Sequence, residues 1–187
     1  ELRELVRDIR NSNCEASVRS ALLLQAATAQ RTSEIVFARW SEFKLPPKGA
    51  GLWTIPRERM KMKDQPHDQE LILPAPVVSF LRSLPKRSEW TFPNFAGDAP
   101  ITGLDKAMRV ALGRAGKHTP HGWRSSLQTL ADDAIGDDGR PLFAPAWVSA
   151  VLDHRPQNVK KHYQRKPAVE GGARVLAWWA EQLGPLA

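Results

Sequence analysis

The chain has 187 residues, of which 42% are hydrophobic and 25% are charged, with 27 Lys and Arg against 20 Asp and Glu. This composition is too apolar for a disordered segment, and no apolar run reaches the roughly 18 to 20 residues of a membrane span, so we exclude both classes. The single cysteine, Cys14, excludes a disulfide framework and fits a reducing, cytoplasmic setting. The length suits one domain, residues 1–187, and because the chain starts at Glu1 without Met, we expect a fragment of a longer protein.

The first half of the chain predicts helices followed by a small sheet. Apolar residues recur at helical spacing over residues 2–11 and 16–29. Short segments around Phe43, at 51–56 and at 70–73 predict strands of an antiparallel sheet, with a polar hairpin tip between the last two. The fold class is therefore mostly α with a small three-stranded antiparallel β-sheet, an α+β architecture.

The second half predicts further helices around one long irregular segment. Residues 85–103 are rich in Pro and Gly, which predicts a surface loop. Thr119 suits a helix N-cap and Pro120 the first helical position of the helix that follows. The predicted helices cover residues 76–84, 104–115, 121–135, 145–152 and 168–183.

Basic residues cluster in three segments of the chain. Residues 57–63 hold four basic residues and one acid, 106–118 hold four and no acid, and 154–167 hold five and no acid. Segregated charge favours a binding surface for nucleic acid, acidic lipid or an acidic protein. Three separate solvated faces are the alternative.

The first cluster has a regular spacing of two residues. Arg57, Arg59, Lys61 and Lys63 would project from one face of a strand as a basic stripe beside a phosphate backbone. Edge strands also carry Lys to block aggregation, which is the structural alternative.

Two pairs of side chains lie three residues apart and so share one face of a helix. Glu34 can hold the guanidinium of Arg31, although an ordinary surface ion pair is the alternative. His121 and Arg124 place a cationic pair on a first helical turn, where the helix dipole favours anions, so an anionic ligand would relieve the conflict. A partly exposed capping residue is the alternative for His121.

Tyr163, the only tyrosine, lies in the most basic stretch of the chain, nine positions after His154. A phenol with its ordinary pKa of about 10 is a poor nucleophile unless cations lower that pKa or hold its target. A half-exposed surface tyrosine is the alternative. The histidines and carboxylates show no convincing metal-ligand spacing, and no Gly-rich phosphate loop appears.

Taken in chain order, these residues resemble the catalytic domain of the tyrosine recombinases, specifically the phage-type integrases. The segments that carry the resemblance are QRTSEIVFARWSEF, ERMKMKDQPHDQELILP, TPHGWR and LDHRPQNVKKHYQR, and it extends from about residue 16 to the end of the chain. Two departures stand out. Residues 135–145 are longer and more polar than usual, and Asp153 stands where a small residue is common.

The resemblance implies a tyrosine recombinase core fold and a set of catalytic roles. Tyr163 would attack a DNA phosphodiester in line, giving a 3′-phosphotyrosyl link and a free 5′-hydroxyl. Arg31 and Arg124 would bind the non-bridging oxygens. His121 and His154 would donate hydrogen bonds or transfer the proton of the nucleophile.

Further residues would support these groups. Lys61 would be the general acid for the leaving 5′-oxygen, with Lys63 on the same strand face as the alternative, and Glu34 would orient Arg31. The residues expected to contact the DNA backbone are Arg57, Arg59, Lys63, Lys160, Lys161 and Arg165.

The implied function is site-specific recombination that integrates or excises a mobile element such as a phage or genomic island. The alternatives are DNA relaxation by a type IB topoisomerase-like enzyme and a catalytically inactive DNA-binding accessory protein. We expect double-stranded DNA as partner, a monomer when free and a homo-tetramer on DNA, no membrane, no metal and no small-molecule cofactor, in a prokaryotic cytoplasm. The predicted C-terminal helix would pack on its own domain or dock on a neighbouring protomer.

Overall fold

The computed structural model describes residues 1–60, 67–112, 118–154 and 165–186, with Arg165 described by its backbone alone. The chain begins with helices α1, Leu2–Arg10, and α2, Ala16–Thr28, followed by the short helix α3, Thr32–Val36. Residues 21–28 of α2 are all buried, so this helix runs through the centre of the molecule. Gln25 fits there because its amide Nε2 donates to the carbonyl of Gln30 at 3.3 Å.

The predicted antiparallel sheet is confirmed. A 3-10 helix, Trp40–Glu42, leads into β1, Phe43–Lys44, which pairs with β2, Gly51–Ile55, and β2 pairs in turn with β3, Gln69–Leu73. Burial alternates along β2 and β3, so one face of the sheet packs on the core.

The remaining helices complete a mostly α-helical fold, as predicted. They are α4, Ala75–Ser83, α5, Leu104–Ala111, α6, Gly122–Asp132, α7, Pro145–Leu152, and α8, Arg165–Leu183. Across the described ranges, no helix has both the length and the apolar character needed to cross a membrane.

The prediction of a surface loop at 85–103 is wrong for two short parts of that segment, although its middle is exposed around Phe95. Thr91, Phe92 and Ile101 are buried, and the Thr91 N–H donates to the carbonyl of Ala38 at 2.9 Å. Pro and Gly correctly indicate irregular backbone, but irregular backbone still enters the core where its polar groups find partners.

The prediction of a basic strand face is also wrong where it can be compared with the structure. Arg57–Arg59 form a 3-10 helix after β2, so Arg57 and Arg59 do not project from one face of a strand. Lys61 and Lys63 lie outside the described residues.

Helix α8 packs on its own molecule, which was the first of the two alternatives. Its residues Val175, Leu176, Trp179 and Leu183 are buried. The indole Nε1 of Trp179 donates to the carbonyl of Ala26 in α2 at 2.7 Å. The helix is therefore part of the core that α1, α2 and α7 share.

Candidate active site

The C-terminal end of α7 organises the site. A helix leaves its last carbonyls without helical partners, and here side chains from other elements bind three successive ones. The helix ends at Leu152 because Asp153 takes a left-handed conformation with φ 49°. The buried amides of Gln30 and Gln69 both donate to the carbonyl of Val151, at 2.9 and 2.8 Å. The next two carbonyls, those of Leu152 and Asp153, accept hydrogen bonds from arginine side chains.

Arg124, on the first turn of α6, is one of these arginines, and it is only 3% exposed. Its Nη2 donates to the carbonyl of Leu152 and its Nη1 to the carbonyl of Ala29, the left-handed residue that ends α2, at 2.9 Å. Carbonyls at helix C-termini carry partial negative charge, so two helix ends stabilise the buried cation. Burial, followed by the charge of Arg31, lowers the pKa of Arg124 to about 10, which keeps it cationic at neutral pH.

Arg31, the N-cap residue of α3, is held by two carboxylates. Glu34 accepts from the Arg31 backbone N–H at 2.7 Å and from its Nη1 at 2.8 Å. Asp153 Oδ2 accepts from the same Nη1 at 3.2 Å, and the Asp153 carbonyl lies 3.4 Å from Nη2. Burial acts to lower the pKa of Arg31, but the two carboxylates outweigh burial and raise it.

The ion pair of Arg31 and Glu34 is not the surface pair that the sequence left open, because the Glu34 side chain is fully buried. A buried carboxylate requires a permanent partner, so Glu34 fixes one edge of the guanidinium. The structure thus shows Glu34 in contact with Arg31, and its role in orienting Arg31 for catalysis stays a prediction.

The two predicted histidines lie on either side of Arg124 along the chain. His154 follows α7, and its Nε2 lies 3.3 Å from Arg124 Nη2. Because a guanidinium only donates, this Nε2 accepts and the imidazole proton is on Nδ1. Partial burial, followed by the charges of Arg124 and Arg31, lowers the pKa of His154.

His121 is exposed and occupies the N-cap position of α6, where its side chain makes no capping hydrogen bond. The helix predicted at 121–135 begins one residue later, at Gly122, and Pro120, which was predicted at the first helical position, lies in the preceding turn. Thr119 still satisfies the helix end, because its hydroxyl accepts from the Gly122 N–H at 3.0 Å.

Several of the predicted catalytic side chains line one cleft, which has a volume of about 540 Å³. The predicted catalytic residues Arg31, His121 and Arg124 all line it, and His154 joins them through its contact with Arg124. The remaining lining residues are Thr32, Ser33, Val36, Phe37 and Pro120. The described residues contain no cluster of His, Cys, Asp or Glu that could hold a metal ion.

Arg59 contacts the backbone of Glu34, the residue that holds Arg31. Its Nη2 donates to Glu42 Oε2 at 2.5 Å and its Nη1 to the carbonyl of Glu34 at 3.4 Å, while Trp53 Nε1 also donates to Glu42. Burial raises the pKa of Glu42, against the effect of Trp53 and Arg59. Arg57, by contrast, is half exposed and pairs with Glu58.

Several predicted site residues cannot be compared with this geometry. Those outside the described part of the chain are Lys61, Lys63, Lys160, Lys161 and Tyr163, together with the side chain of Arg165. Their roles remain predictions.

Sequence reasoning missed several acceptors that hold Arg31, Arg59 and Arg124. The carbonyls of Ala29 and Leu152 carry no signal in the side-chain pattern, and Glu42 gave none. Asp153 stood out only as a departure from the resemblance, although it contacts Arg31 directly.

Two of the curated proteins that match this chain are integrases. Prophage integrase IntZ of Escherichia coli strain K12 is 30% identical over 172 residues, covering 89% of this chain and 39% of IntZ. The integrase of enterobacteria phage P4 is 29% identical over 189 residues, covering 88% of this chain and 40% of the phage protein. The chain thus spans about two fifths of the length of these curated relatives. No family model matches the chain.

Among solved structures, the fold is shared with the XerH site-specific recombinase. The pre-cleavage complex of XerH bound to its difH substrate matches with a TM-score of 0.57 and 16% identity, over 97% of this chain and 49% of XerH. The post-cleavage complex with palindromic difH gives the same TM-score and identity and covers 48% of that chain. At this identity the likeness shows a common fold.

Proposed function

We propose that the chain is a catalytic domain for site-specific DNA recombination and belongs with the phage-type integrases of the tyrosine recombinase family, because it is similar in sequence to two integrases and in fold to a site-specific recombinase. The observation that carries the proposal is that Arg31 and Arg124 line one cleft. Each guanidinium donates to a backbone carbonyl at the C-terminal end of α7.

The two guanidiniums suit the non-bridging oxygens of a phosphodiester. A guanidinium is planar, stays charged and donates from a fixed fork, which matches phosphate geometry. Arg124 is fixed by carbonyls and Arg31 by carboxylates before any ligand arrives. Donors fixed in advance stabilise a developing charge without reorganising during the reaction.

The reaction that we propose is a transesterification. The Tyr163 oxygen attacks the phosphorus in line, the bond from phosphorus to the 5′-oxygen breaks, and a 3′-phosphotyrosyl link forms. The phenol loses its proton and the leaving 5′-oxygen gains one, so the step is balanced. Attack by a 5′-hydroxyl from a second duplex reverses the step, and the reversal requires no nucleotide hydrolysis.

Proton transfer falls to the histidines and the lysines. In the free protein, His154 accepts a hydrogen bond from Arg124 and is left with a proton on Nδ1, which suits hydrogen bonding to the phosphate. His121 is exposed at the cleft, where it could accept the proton of Tyr163. Lys61 would protonate the 5′-oxygen, with Lys63 as the alternative.

The partner in this proposal is double-stranded DNA. Exchange of two duplexes requires one cleavage on each of four strands, so four copies of the protein would act together. Arg57, Lys160, Lys161 and Arg165 are proposed to contact the backbone phosphates. Arg59 is proposed instead to position the cleft, since its side chain is largely buried against Glu42.

Covalent capture from a randomised pool tests the proposal and identifies the target site in the same experiment. The protein would be incubated with duplexes that carry a nick beside a randomised core, and the DNA that remains bound in denaturing detergent would be sequenced. We expect one enriched sequence with the wild-type protein and none with Tyr163→Phe, whose thermal unfolding serves as the control for folding.

The enriched site then separates the rival functions. Strand exchange between two duplexes supports a recombinase, whereas relaxation of one supercoiled circle without exchange supports the topoisomerase alternative. Sequence-specific binding that never becomes covalent supports the inactive accessory protein and contradicts the proposal.

A further inference from the structure

We propose that the Asp153 carboxylate competes with a bound phosphate group for Arg31. It would thereby lower the affinity of the cleft for that phosphate. This inference rests on the proposed function only in taking that phosphate to be the scissile phosphate of DNA. Asp153 would act through Arg31 and is therefore a positioning residue.

The first argument is that two carboxylates share one nitrogen atom. Both Glu34 and Asp153 accept from Nη1 of Arg31, at 2.8 and 3.2 Å. Glu34 is fully buried and has a second bond, from the Arg31 backbone N–H, so it stays in place. The Asp153 carboxylate is 11% exposed and, among the described residues, Arg31 is its only hydrogen-bond partner. Asp153 is therefore the partner that an incoming anion can displace.

The second argument is the charge of the site. Arg31 and Arg124 bring two positive charges, and Glu34 and Asp153 bring two negative charges. His154 is neutral as long as its Nε2 accepts from Arg124. These four side chains together carry no net charge, and loss of the Asp153 carboxylate would leave them with one net positive charge.

The third argument is the backbone at Asp153. Its φ of 49° and ψ of 44° are left-handed, a conformation that Gly adopts without a steric cost and that Asn and Asp tolerate better than other residues. Two substitutions therefore remove the carboxylate while they keep the end of α7. Asp153→Asn preserves the shape of the side chain, and Asp153→Gly suits the backbone.

The test measures phosphate binding at Arg31 in the absence of DNA. Inorganic phosphate would be titrated into the isotope-labelled protein, and the Nε–H resonance of Arg31, assigned by its loss in Arg31→Lys, would be followed by NMR. We expect Asp153→Asn to bind phosphate roughly threefold to tenfold more tightly than the wild type, which is the range for one partly exposed charge. Asp153→Gly should bind more tightly as well.

The matched control is Asp137→Asn, which makes the same change of charge at an exposed turn beyond the far end of α6 from His121. This variant should bind phosphate as the wild type does. Asp153→Gly also keeps the test open if Asp153→Asn fails to fold.

The inference is overturned if the Asp153 variants bind phosphate with the wild-type affinity or more weakly, because Asp153 would then merely hold Arg31 in place. This outcome is independent of the proposed function. A covalent DNA adduct together with unchanged phosphate affinity would reject the role of Asp153 alone. Tighter phosphate binding without any adduct would reject the recombinase and keep the role of Asp153.

Discussion

Arg124 carries a full positive charge in a position with almost no contact with water. Its charge is tolerated because the carbonyls of Ala29 and Leu152 replace the lost water, and because both carbonyls stand at helix C-termini. Their spacing requires a donor with two separated N–H groups. A guanidinium provides them, whereas an ammonium places its charge at one point.

The first prediction concerns the shape of this donor. We expect Arg124→Lys to lower the free energy of unfolding by about 1.5 to 3 kcal/mol, because one buried carbonyl loses its charged partner. Urea denaturation would measure the change, with Arg109→Lys on the exposed face of α5 as the matched control, expected to stay within about 0.5 kcal/mol of the wild type. Equal stability of the two variants would contradict the role assigned to the carbonyls.

The second prediction concerns the protonation of His154. Partial burial, and then the charges of Arg124 and Arg31, disfavour its imidazolium form, so its pKa in the folded protein should lie below the value in the unfolded chain. NMR titration of the ring, in buffer and in urea, would measure both values. A folded value equal to or above the unfolded one would contradict the proximity of the ring to the two arginines.

The free energy of unfolding should depend on pH in the direction that this lowered pKa of His154 implies. As the pH falls through about 6.5, the unfolded chain binds a proton at His154 before the folded protein does, so the free energy of unfolding decreases. His118 has the same direction of shift, because burial also lowers its pKa. The decrease should therefore include contributions from both histidines.

At the scale of elements, the position of α7 depends on the close approach of α8. A Cβ built on Gly171 would lie 2.3 Å from ring atoms of Trp147, and one built on Gly172 would lie 3.1 Å from a methyl group of Val151. The two glycines therefore let α8 support the helix whose C-terminus holds the arginines.

The third prediction follows from this contact. Gly171→Ala should lower the free energy of unfolding by about 1 to 3 kcal/mol because the ring of Trp147 must move. Helix propensity alone predicts the opposite sign, a gain of about 1 kcal/mol. The exposed substitution Glu170→Ala on the same helix is the control and should be nearly neutral. A Gly171→Ala variant more stable than the wild type would show that α8 does not pack tightly on α7.

Sequence periodicity predicted the helices and strands well, but it predicted the conformation and burial of the segments between them less well. The helix at 145–152 and the three strands were recognisable because burial follows a period of 3.6 or 2 residues. The turn at Arg57–Arg59 was missed because alternating basic residues fit a strand as well as a 3-10 helix. Burial of Phe92 was missed because an irregular segment has no period from which to infer a face.

At the scale of the whole molecule, residue types and their order predicted which side chains meet. The pairs at spacing three, together with the family resemblance, indicated Arg31, His121 and Arg124, which line one cleft. The spacing could not predict what holds them, since backbone carbonyls look the same at every position. Long-range contacts such as that of Arg31 with Asp153, 122 residues apart, depend on how the helices pack.

The most direct test of the proposed function is the position of the covalent bond between protein and DNA. After capture on the enriched nicked duplex, the adduct would be digested with protease and nuclease, and mass spectrometry would locate the linked residue. We predict a 3′-phosphonucleotide on the oxygen of Tyr163, with a free 5′-hydroxyl on the released strand. A link to any other residue, or a 5′-phosphate on Tyr163, would contradict the proposed mechanism.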